Sequence, residues 1–248
     1  MLKRTILSSV FALAALSACG EQQPGTAQTK PAGAQSTTAA APAARADWTA
    51  TVVLTPEGGM RMGNPDARAK LVEFASFTCP SCQNFHTQAS APLKQEVAAG
   101  TTSWEYRPFM LNIFDLAAAL LARCDGPQSF FRWADQLYAN HEQWVAPLAK
   151  LTEADLAPVA RLPQNQQLLG VARLAGLDEF ARRRGMPAAR FEACMTNQAE
   201  IDRLTRMQQA AVDTFGVNAT PTFLINGRKQ EGITAWTALQ PRLAEARR

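Results

Sequence analysis

The sequence lacks the features of several large classes of protein. Its 25 lysines and arginines nearly balance its 21 aspartates and glutamates, and no basic stripe with interleaved aromatic residues appears. This excludes a nucleic-acid-binding surface. The chain has only two histidines and five cysteines, and no second close pair of such residues accompanies Cys79-Pro80-Ser81-Cys82. A zinc site built from two such pairs is therefore not predicted, and we expect no metal or organic cofactor.

The sequence also lacks an apolar run long enough to span a bilayer comfortably. Two basic residues near the start precede a short apolar stretch, Ile6 to Leu16, as in a secretory signal peptide. The stretch ends in Leu16-Ser17-Ala18-Cys19-Gly20, which resembles the lipobox of bacterial lipoproteins. The resemblance implies a signal peptide over residues 1–18 and a lipid on Cys19; the alternative is an ordinary signal with an unrelated cysteine. Gly20, in place of an aspartate, favours the outer membrane over the inner one.

The next segment lacks the residues needed for a core. Residues 21–46 include no aromatic residue and no leucine, isoleucine, valine or methionine. Such a segment cannot bury enough apolar surface to offset the entropy lost on ordering. We predict a disordered tether over 19–47 and a folded domain over 48–248. Because the tether offers no apolar surface for dimerisation, a monomer is expected.

Cys79-Pro80-Ser81-Cys82 is the pattern that indicates chemistry. It follows the apolar run Leu71 to Phe77, which predicts a buried strand, and precedes a predicted helix over about 80–98. If the helix begins near Cys79, both sulfurs lie within one turn, and the helix N-terminus stabilises a thiolate. A thiolate is the attacking and leaving species in disulfide exchange. The motif therefore predicts a redox dithiol in an oxidising compartment.

The remaining elements are predicted from hydrophobic periodicity and turn signals. Pro92 lies inside the first predicted helix and predicts a kink or break just before it. The other predicted elements are an edge strand within 48–54, strands over 60–62, 102–108 and 222–225, a helical block over 111–215 with one helix at 168–184, a hairpin turn at Asn226-Gly227, and a closing helix over 234–246.

Two separated motifs together resemble one family. Residues 73–82, with Thr220-Pro221-Thr222-Phe223 far downstream, resemble the DsbA-like branch of the thioredoxin superfamily, over about residues 59–246. The resemblance implies an α/β, thioredoxin-like fold with a helical insertion, about 111–215, between the central strand and the cis-proline strand. It also implies that Cys79 is the exposed nucleophile and Cys82 the buried resolving thiol. Pro221 would be cis and face the dithiol, and Thr220 would offer backbone groups to a substrate strand.

Residues around the dithiol suggest how it is tuned. Glu73 interrupts the apolar strand, and an acid at this place in thioredoxin-like folds lies beneath the resolving cysteine. A buried carboxyl can handle the proton of Cys82; the alternative is an exposed edge glutamate. Pro80 and Ser81 occupy the tuning positions, and Ser81 offers a neutral hydroxyl where the best-known DsbA motif has histidine. The helix terminus alone then predicts a Cys79 pKa of about 6–7 and a less oxidising dithiol than a Pro-His one.

Two further cysteines and one histidine complete the candidates. Besides Cys19, four cysteines allow three pairings, and a local dithiol leaves Cys124 and Cys194. Some DsbA-like proteins carry a second, structural disulfide in this domain, which supports that pairing; the alternative is two buried free thiols. His86 lies four residues after Cys82, and we expect a surface or packing role rather than electrostatic tuning.

The sequence therefore predicts an enzyme, a periplasmic, lipid-anchored thiol:disulfide oxidoreductase. Through Cys79 and Cys82 it would form disulfides in reduced or unfolded exported proteins. The resemblance implies a membrane redox partner, a quinone-linked oxidase or a reductase. The alternatives are a disulfide reductase or isomerase, and a non-catalytic chaperone or soft-metal-binding module.

Overall fold

The computed structural model describes residues 47–248. The predicted signal peptide, Cys19 and nearly all of the predicted tether lie outside the described residues. No helix in this described part is long and apolar enough to cross a membrane.

A six-stranded mixed sheet forms the centre of the fold. Strands β3 and β4 are parallel, and every other neighbouring pair is antiparallel. Because β5 runs antiparallel to β3 with Thr222 opposite Phe74, the start of β5 lies beside the end of β3. In spatial order, the strands are β1 (Val52–Leu54), β2 (Met60–Met62), β4 (Thr102–Pro108), β3 (Ala69–Ala75), β5 (Thr222–Ile225) and β6 (Arg228–Lys229).

Helices cover the sheet and fill the long connection between β4 and β5. Helix α1 (Pro80–Ala98) follows β3, and α10 (Trp236–Ala246) closes the chain. The connection holds α2 (Ile113–Arg123), α3 (Pro127–Ala139), α4 (His141–Val145), α5 (Glu153–Ala160), α6 (Gln164–Leu174), α7 (Leu177–Arg182), α8 (Ala188–Met195) and α9 (Gln198–Phe215). This is the thioredoxin-like fold with a helical insertion that the sequence predicts.

One continuous face of helix α1 is buried, and this packing holds the dithiol at the N-terminal end of the helix. Its buried face comprises Cys82, Phe85, His86, Ala89, Leu93 and Val97. Of the predicted kink or break before Pro92, the break is wrong, since the helix runs from Pro80 to Ala98 without interruption. Proline removes only one helical hydrogen bond here, and fully buried Ala89 and Leu93 anchor the helix on either side.

The predicted single helix over 168–184 is also wrong. Two helices, α6 and α7, replace it, and Gly176 between them adopts the left-handed conformation with φ +69°. Residues on both sides of the break are buried, including Leu169, Ala172 and Leu177. The helical spacing of the buried residues therefore continues across the break, so the sequence pattern does not show it. The break is seen only in the left-handed backbone of Gly176.

A disulfide joins two helices of the insertion. Cys124, at the end of α2, is bonded to Cys194 in α8, with 5.5 Å between their Cα atoms. The bond closes a span of 70 residues, for which the loop-entropy model gives about 4 kcal/mol of stabilisation at most. The dithiol cysteines take no part in it.

Candidate active site

The two sulfurs of the dithiol sit at the end of β3, where α1 begins. Cys79 is the N-cap of α1, Pro80 its first residue, and Cys82 lies in the first turn. Both are free thiols, and the structure buries both: Cys79 is 7% exposed and Cys82 is fully buried. The openly exposed nucleophile that the resemblance implies is therefore not seen in this dithiol form, although Cys79 remains the more accessible of the two.

The segment before β5 covers Cys79. The Thr220-Pro221 peptide bond is cis, and the Cys79 thiol donates a hydrogen bond to the Thr220 carbonyl at 3.4 Å. The Thr220 hydroxyl is also buried, and it has no hydrogen-bond partner within the described residues. The thiol thus uses the carbonyl, and the hydroxyl remains free to donate to the thiolate when Cys79 ionises.

The surroundings of Cys79 favour its thiolate. Its pKa is lowered to about 5, chiefly by a hydrogen bond from the Cys82 thiol. Burial opposes this, while the Thr220 side chain and the backbone N–H groups of Cys82 and Ser81 lower the pKa further. The value lies below the 6–7 predicted from the sequence, because that prediction counted only the helix terminus. Ser81 contributes through its backbone.

Cys82 is tuned in the opposite direction. Burial raises its pKa well above the ordinary value, and the neighbouring Cys79 and the charge of Glu73 raise it further. A backbone hydrogen bond from Ser76 only partly offsets this. The two thiols are therefore unequal: Cys79 ionises first, and Cys82 keeps its proton and stabilises that thiolate.

Glu73 lies in the interior of the sheet and is fully buried, so it is not an exposed edge residue. The indole Nε1 of Trp104 donates to Glu73 Oε2 at 2.9 Å, and the His86 Nε2 lies 3.1 Å from Oε1. These contacts hold the carboxyl on the α1 side of the sheet, where its charge acts on Cys82.

His86 is a site residue whose role the sequence does not indicate. It is buried as a packing histidine, yet it also pairs with Glu73. Its ring stacks on Tyr138 with 4.0 Å between the ring centres, and Nδ1 has no partner within residues 47–248. Its spacing of four residues from Cys82 is the only sequence signal, because it places both side chains on one helix face.

A second buried acid, Asp115, also lies near the dithiol. It belongs to α2 and accepts hydrogen bonds from Ser76 and Thr78, in the loop that leads to Cys79. Burial raises its pKa. No sequence motif connects it to the dithiol, since 37 positions separate Asp115 from Thr78.

Comparison with known proteins agrees with this geometry. A family model described as "Thioredoxin" matches residues 55–244. The chain belongs to the thioredoxin family. The matched residues include the dithiol, the cis-Pro221 segment and the helical insertion.

Two solved structures resemble this thioredoxin-family chain over most of its length. One is described as a protein-disulfide isomerase from Novosphingobium aromaticivorans, with 31% identity and a TM-score of 0.71 over 75% of this chain and 96% of that one. The other is alpha-DsbA1 from Wolbachia pipientis, with 19% identity and a TM-score of 0.62 over 79% of this chain and 93% of that one. The second likeness concerns the fold, which is DsbA-like.

Curated relatives match over a smaller part of their length. A putative protein-disulfide oxidoreductase of Rickettsia bellii is 33% identical over 90 residues, which is 36% of this chain and 35% of that protein. A protein of the same description from Rickettsia felis is 22% identical over 173 residues, 69% of this chain and 54% of its own. The matched part spans between about a third and three fifths of these curated relatives.

Proposed function

We propose that this chain is a thiol:disulfide oxidase that forms disulfides in exported proteins. The observation that carries the proposal is the unequal dithiol: Cys79, with its pKa lowered to about 5, lies against Thr220 and above the buried Cys82. A stabilised thiolate favours the reduced form of the pair, so the oxidised form is a good electron acceptor. The names of the relatives support oxidoreductase chemistry in general.

The reaction follows from this asymmetry. A substrate thiolate attacks Cys79 of the oxidised pair, a mixed disulfide forms, and the Cys82 thiolate leaves and takes up a proton. A second substrate thiolate then attacks the substrate sulfur of the mixed disulfide, and Cys79 leaves as a thiolate. The substrate loses two electrons and two protons; the Cys79–Cys82 pair gains the two electrons, Cys82 takes one proton, and the other proton goes to solvent. We propose that Glu73, whose charge acts on Cys82, supplies or accepts the proton of Cys82.

The low pKa of Cys79 is what makes the last step favourable. A thiol of low pKa leaves more readily from a mixed disulfide than one of ordinary pKa. Thr220 lies two residues before β5 and beside Cys79, where its backbone can pair with an extended substrate segment. Recognition of this kind uses main-chain hydrogen bonds, and it suits unfolded substrates of varied sequence.

A reductase or isomerase is the second candidate. The observation that favours it is the description of the Novosphingobium structure, 31% identical to this chain, as a protein-disulfide isomerase. An isomerase works from the reduced form, so the two candidates differ in the resting redox state of Cys79 and Cys82. That state depends on the redox partner, which we propose to be a quinone-linked membrane oxidase.

We further propose that the chain acts in the periplasm and is anchored through lipid on Cys19, with the outer membrane favoured over the inner membrane. The signal-like start and the lipobox resemblance support this. Labelling of cells with a radioactive fatty acid tests it: the wild-type chain should carry label and Cys19→Ser should not. Unlabelled wild-type chain would contradict the anchor.

The activity itself is tested with the full chain and reduced ribonuclease A. Oxidised wild type should consume substrate thiols and restore ribonuclease activity, whereas Cys79→Ser should not. Refolding of scrambled ribonuclease by the reduced chain, with little oxidation by the oxidised one, would indicate the isomerase. Equal behaviour of wild type and Cys79→Ser in both assays would leave only the non-catalytic binding module.

A further inference from the structure

The loop from Ser76 to Thr78 touches both sulfur-bearing residues. The Ser76 carbonyl accepts a hydrogen bond from the backbone N–H of Cys79 at 3.3 Å. The backbone of Ser76 also acts on Cys82, whose pKa it lowers. The position of this short loop therefore sets where both cysteines lie.

Asp115 of α2 holds this loop with a buried carboxylate, 2% exposed. Its Oδ1 accepts from the backbone N–H of Thr78 at 2.8 Å, and its Oδ2 accepts from the hydroxyls of Ser76 at 2.8 Å and Thr78 at 2.9 Å. Oδ2 also accepts from the backbone N–H of Leu111 at 2.9 Å. Four donors thus meet one carboxylate, and three of them belong to the loop.

A second side chain of the insertion reaches the same loop. The Tyr138 hydroxyl, from α3, donates to the Ser76 carbonyl at 3.0 Å and lies 2.7 Å from the Tyr106 hydroxyl. The insertion therefore contacts the loop through two helices: α2 through the Asp115 carboxylate, and α3 through the Tyr138 hydroxyl.

The hydrogen bonds of Asp115 are not those that capping of α2 requires. An acid at the third position of a helix ordinarily bonds back to the N-cap backbone, and Asn112 is the N-cap of α2. Asp115 points instead to Leu111 and across to Thr78. Burying the carboxylate also has a cost, because desolvation raises its pKa. The hydrogen bonds between Asp115 and the loop explain why the protein keeps a buried charge at this cost, whereas capping of α2 does not.

We propose that Asp115 is a positioning residue, through which the helical insertion fixes the Ser76–Thr78 loop and thereby both cysteines. The inference rests on the proposed function only in taking the dithiol as the reactive centre. The helical insertion then positions the groups that stabilise the Cys79 thiolate. Loss of the carboxylate should displace Cys79 from the donors that stabilise its thiolate.

The test replaces Asp115 by asparagine in the full chain. An amide has one acceptor oxygen, and its NH2 group faces either Thr78 N–H or Leu111 N–H, so one backbone donor loses the Asp115 acceptor in either orientation. Thr78 N–H would keep only its longer bond to the Ser76 hydroxyl, at 3.1 Å. Asp135→Asn is the matched control. Asp135 also ties the insertion to α1, accepting from Ser90 at 3.0 Å and from Lys94, but it does not contact the loop.

The readout is the rate at which iodoacetamide alkylates Cys79, followed by peptide mass spectrometry between about pH 3 and 9. We expect Asp115→Asn to raise the pKa of Cys79 by about one, so that the thiolate fraction at pH 5 falls from about half to about a tenth. Asp135→Asn should titrate as the wild type does. An unchanged titration in Asp115→Asn, or the same change in Asp135→Asn, would overturn the proposal.

A milder pair decides the matter if Asp115→Asn does not fold. Thr78→Val removes one loop hydroxyl from the carboxylate, while Thr78→Ser keeps it. Thr78→Val should raise the Cys79 pKa and Thr78→Ser should not; equal titrations would reject the positioning role. Because the readout needs no substrate, a wild type inactive on ribonuclease would refute the proposed function and leave this test intact.

Discussion

Trp104 donates a hydrogen bond to the buried Glu73, with 2.9 Å between indole Nε1 and Oε2. The donor comes from β4 and the acceptor from β3, which are adjacent parallel strands. The neighbouring strand therefore orients the carboxyl, and α1 contributes only His86 on the other oxygen. Rotation of the carboxyl away from the dithiol would break both bonds.

Glu73→Gln should slow the step in which Cys82 gains or loses its proton. General acid–base assistance is typically worth about 10²–10⁴-fold. We expect a loss near the lower end because Cys79 is 7% exposed, so that water at the edge of the site can also exchange protons. Rapid-quench sampling of mixed disulfides with a reduced peptide measures the step. Glu105→Gln is the control, since Glu105 is also buried but pairs with Arg107 and Thr55. Similar slowing in both variants would argue against a proton-handling role.

His86→Phe should destabilise the domain more than His86→Gln does. Phenylalanine preserves the stacking on Tyr138 but removes the contact with Glu73, so a buried carboxyl oxygen loses its partner, at about 1–3 kcal/mol. Glutamine offers a replacement donor. Urea unfolding at neutral pH measures the difference. If phenylalanine is tolerated as well as glutamine, the hydrogen bond to Glu73 contributes little.

The stability of the reduced form should depend on pH through Cys79. Its folded-state pKa, about 5, lies below the unfolded value of about 8.5, so folding favours the thiolate. Relative to the oxidised form, the reduced form should gain stability as pH rises from about 5 to about 8.5. That gain is lost as pH falls through about 5.

Paired urea unfolding of the reduced and oxidised forms at several pH values measures this gap. The oxidised form serves as the reference because it has no dithiol to titrate. The raised pKa of Cys82 contributes the opposite slope, but only at more alkaline pH. A gap that stays constant between pH 5 and 8 would mean that the Cys79 pKa is not lowered.

Removal of the second disulfide should affect stability and leave the dithiol alone. Cys124→Ala with Cys194→Ala should lower the free energy of unfolding by about 2–4 kcal/mol, because the unfolded chain regains its entropy. The alkylation midpoint of Cys79 should remain near its wild-type value. A shift of that midpoint would show that the disulfide also helps to position Asp115 through α2.

The parts of the site that are close together in the sequence can be predicted from it. The dithiol, its strand and its helix follow from spacing and periodicity, and the cis-proline segment follows from a family resemblance. The break at Gly176 escapes because apolar spacing continues through it. Asp115 and His86 escape for another reason: their importance depends on partners that tertiary packing supplies, 37 positions away for Asp115 and 13 for His86. Their burial, which forces them to find partners, is not visible in the residues themselves.

The hydrogen bond between Cys79 and Thr220 joins residues 141 positions apart, and this has a consequence for biogenesis. In the proposed export the chain emerges from its N-terminus, so both dithiol cysteines and Cys124 appear before β5 can cover the site. During that interval Cys124 has no Cys194 to pair with, while Cys79 and Cys82 are already neighbours. Closure of the shortest loop costs least entropy. In the proposed export, the CxxC spacing thus favours the pair Cys79–Cys82 over a wrong pair with Cys124.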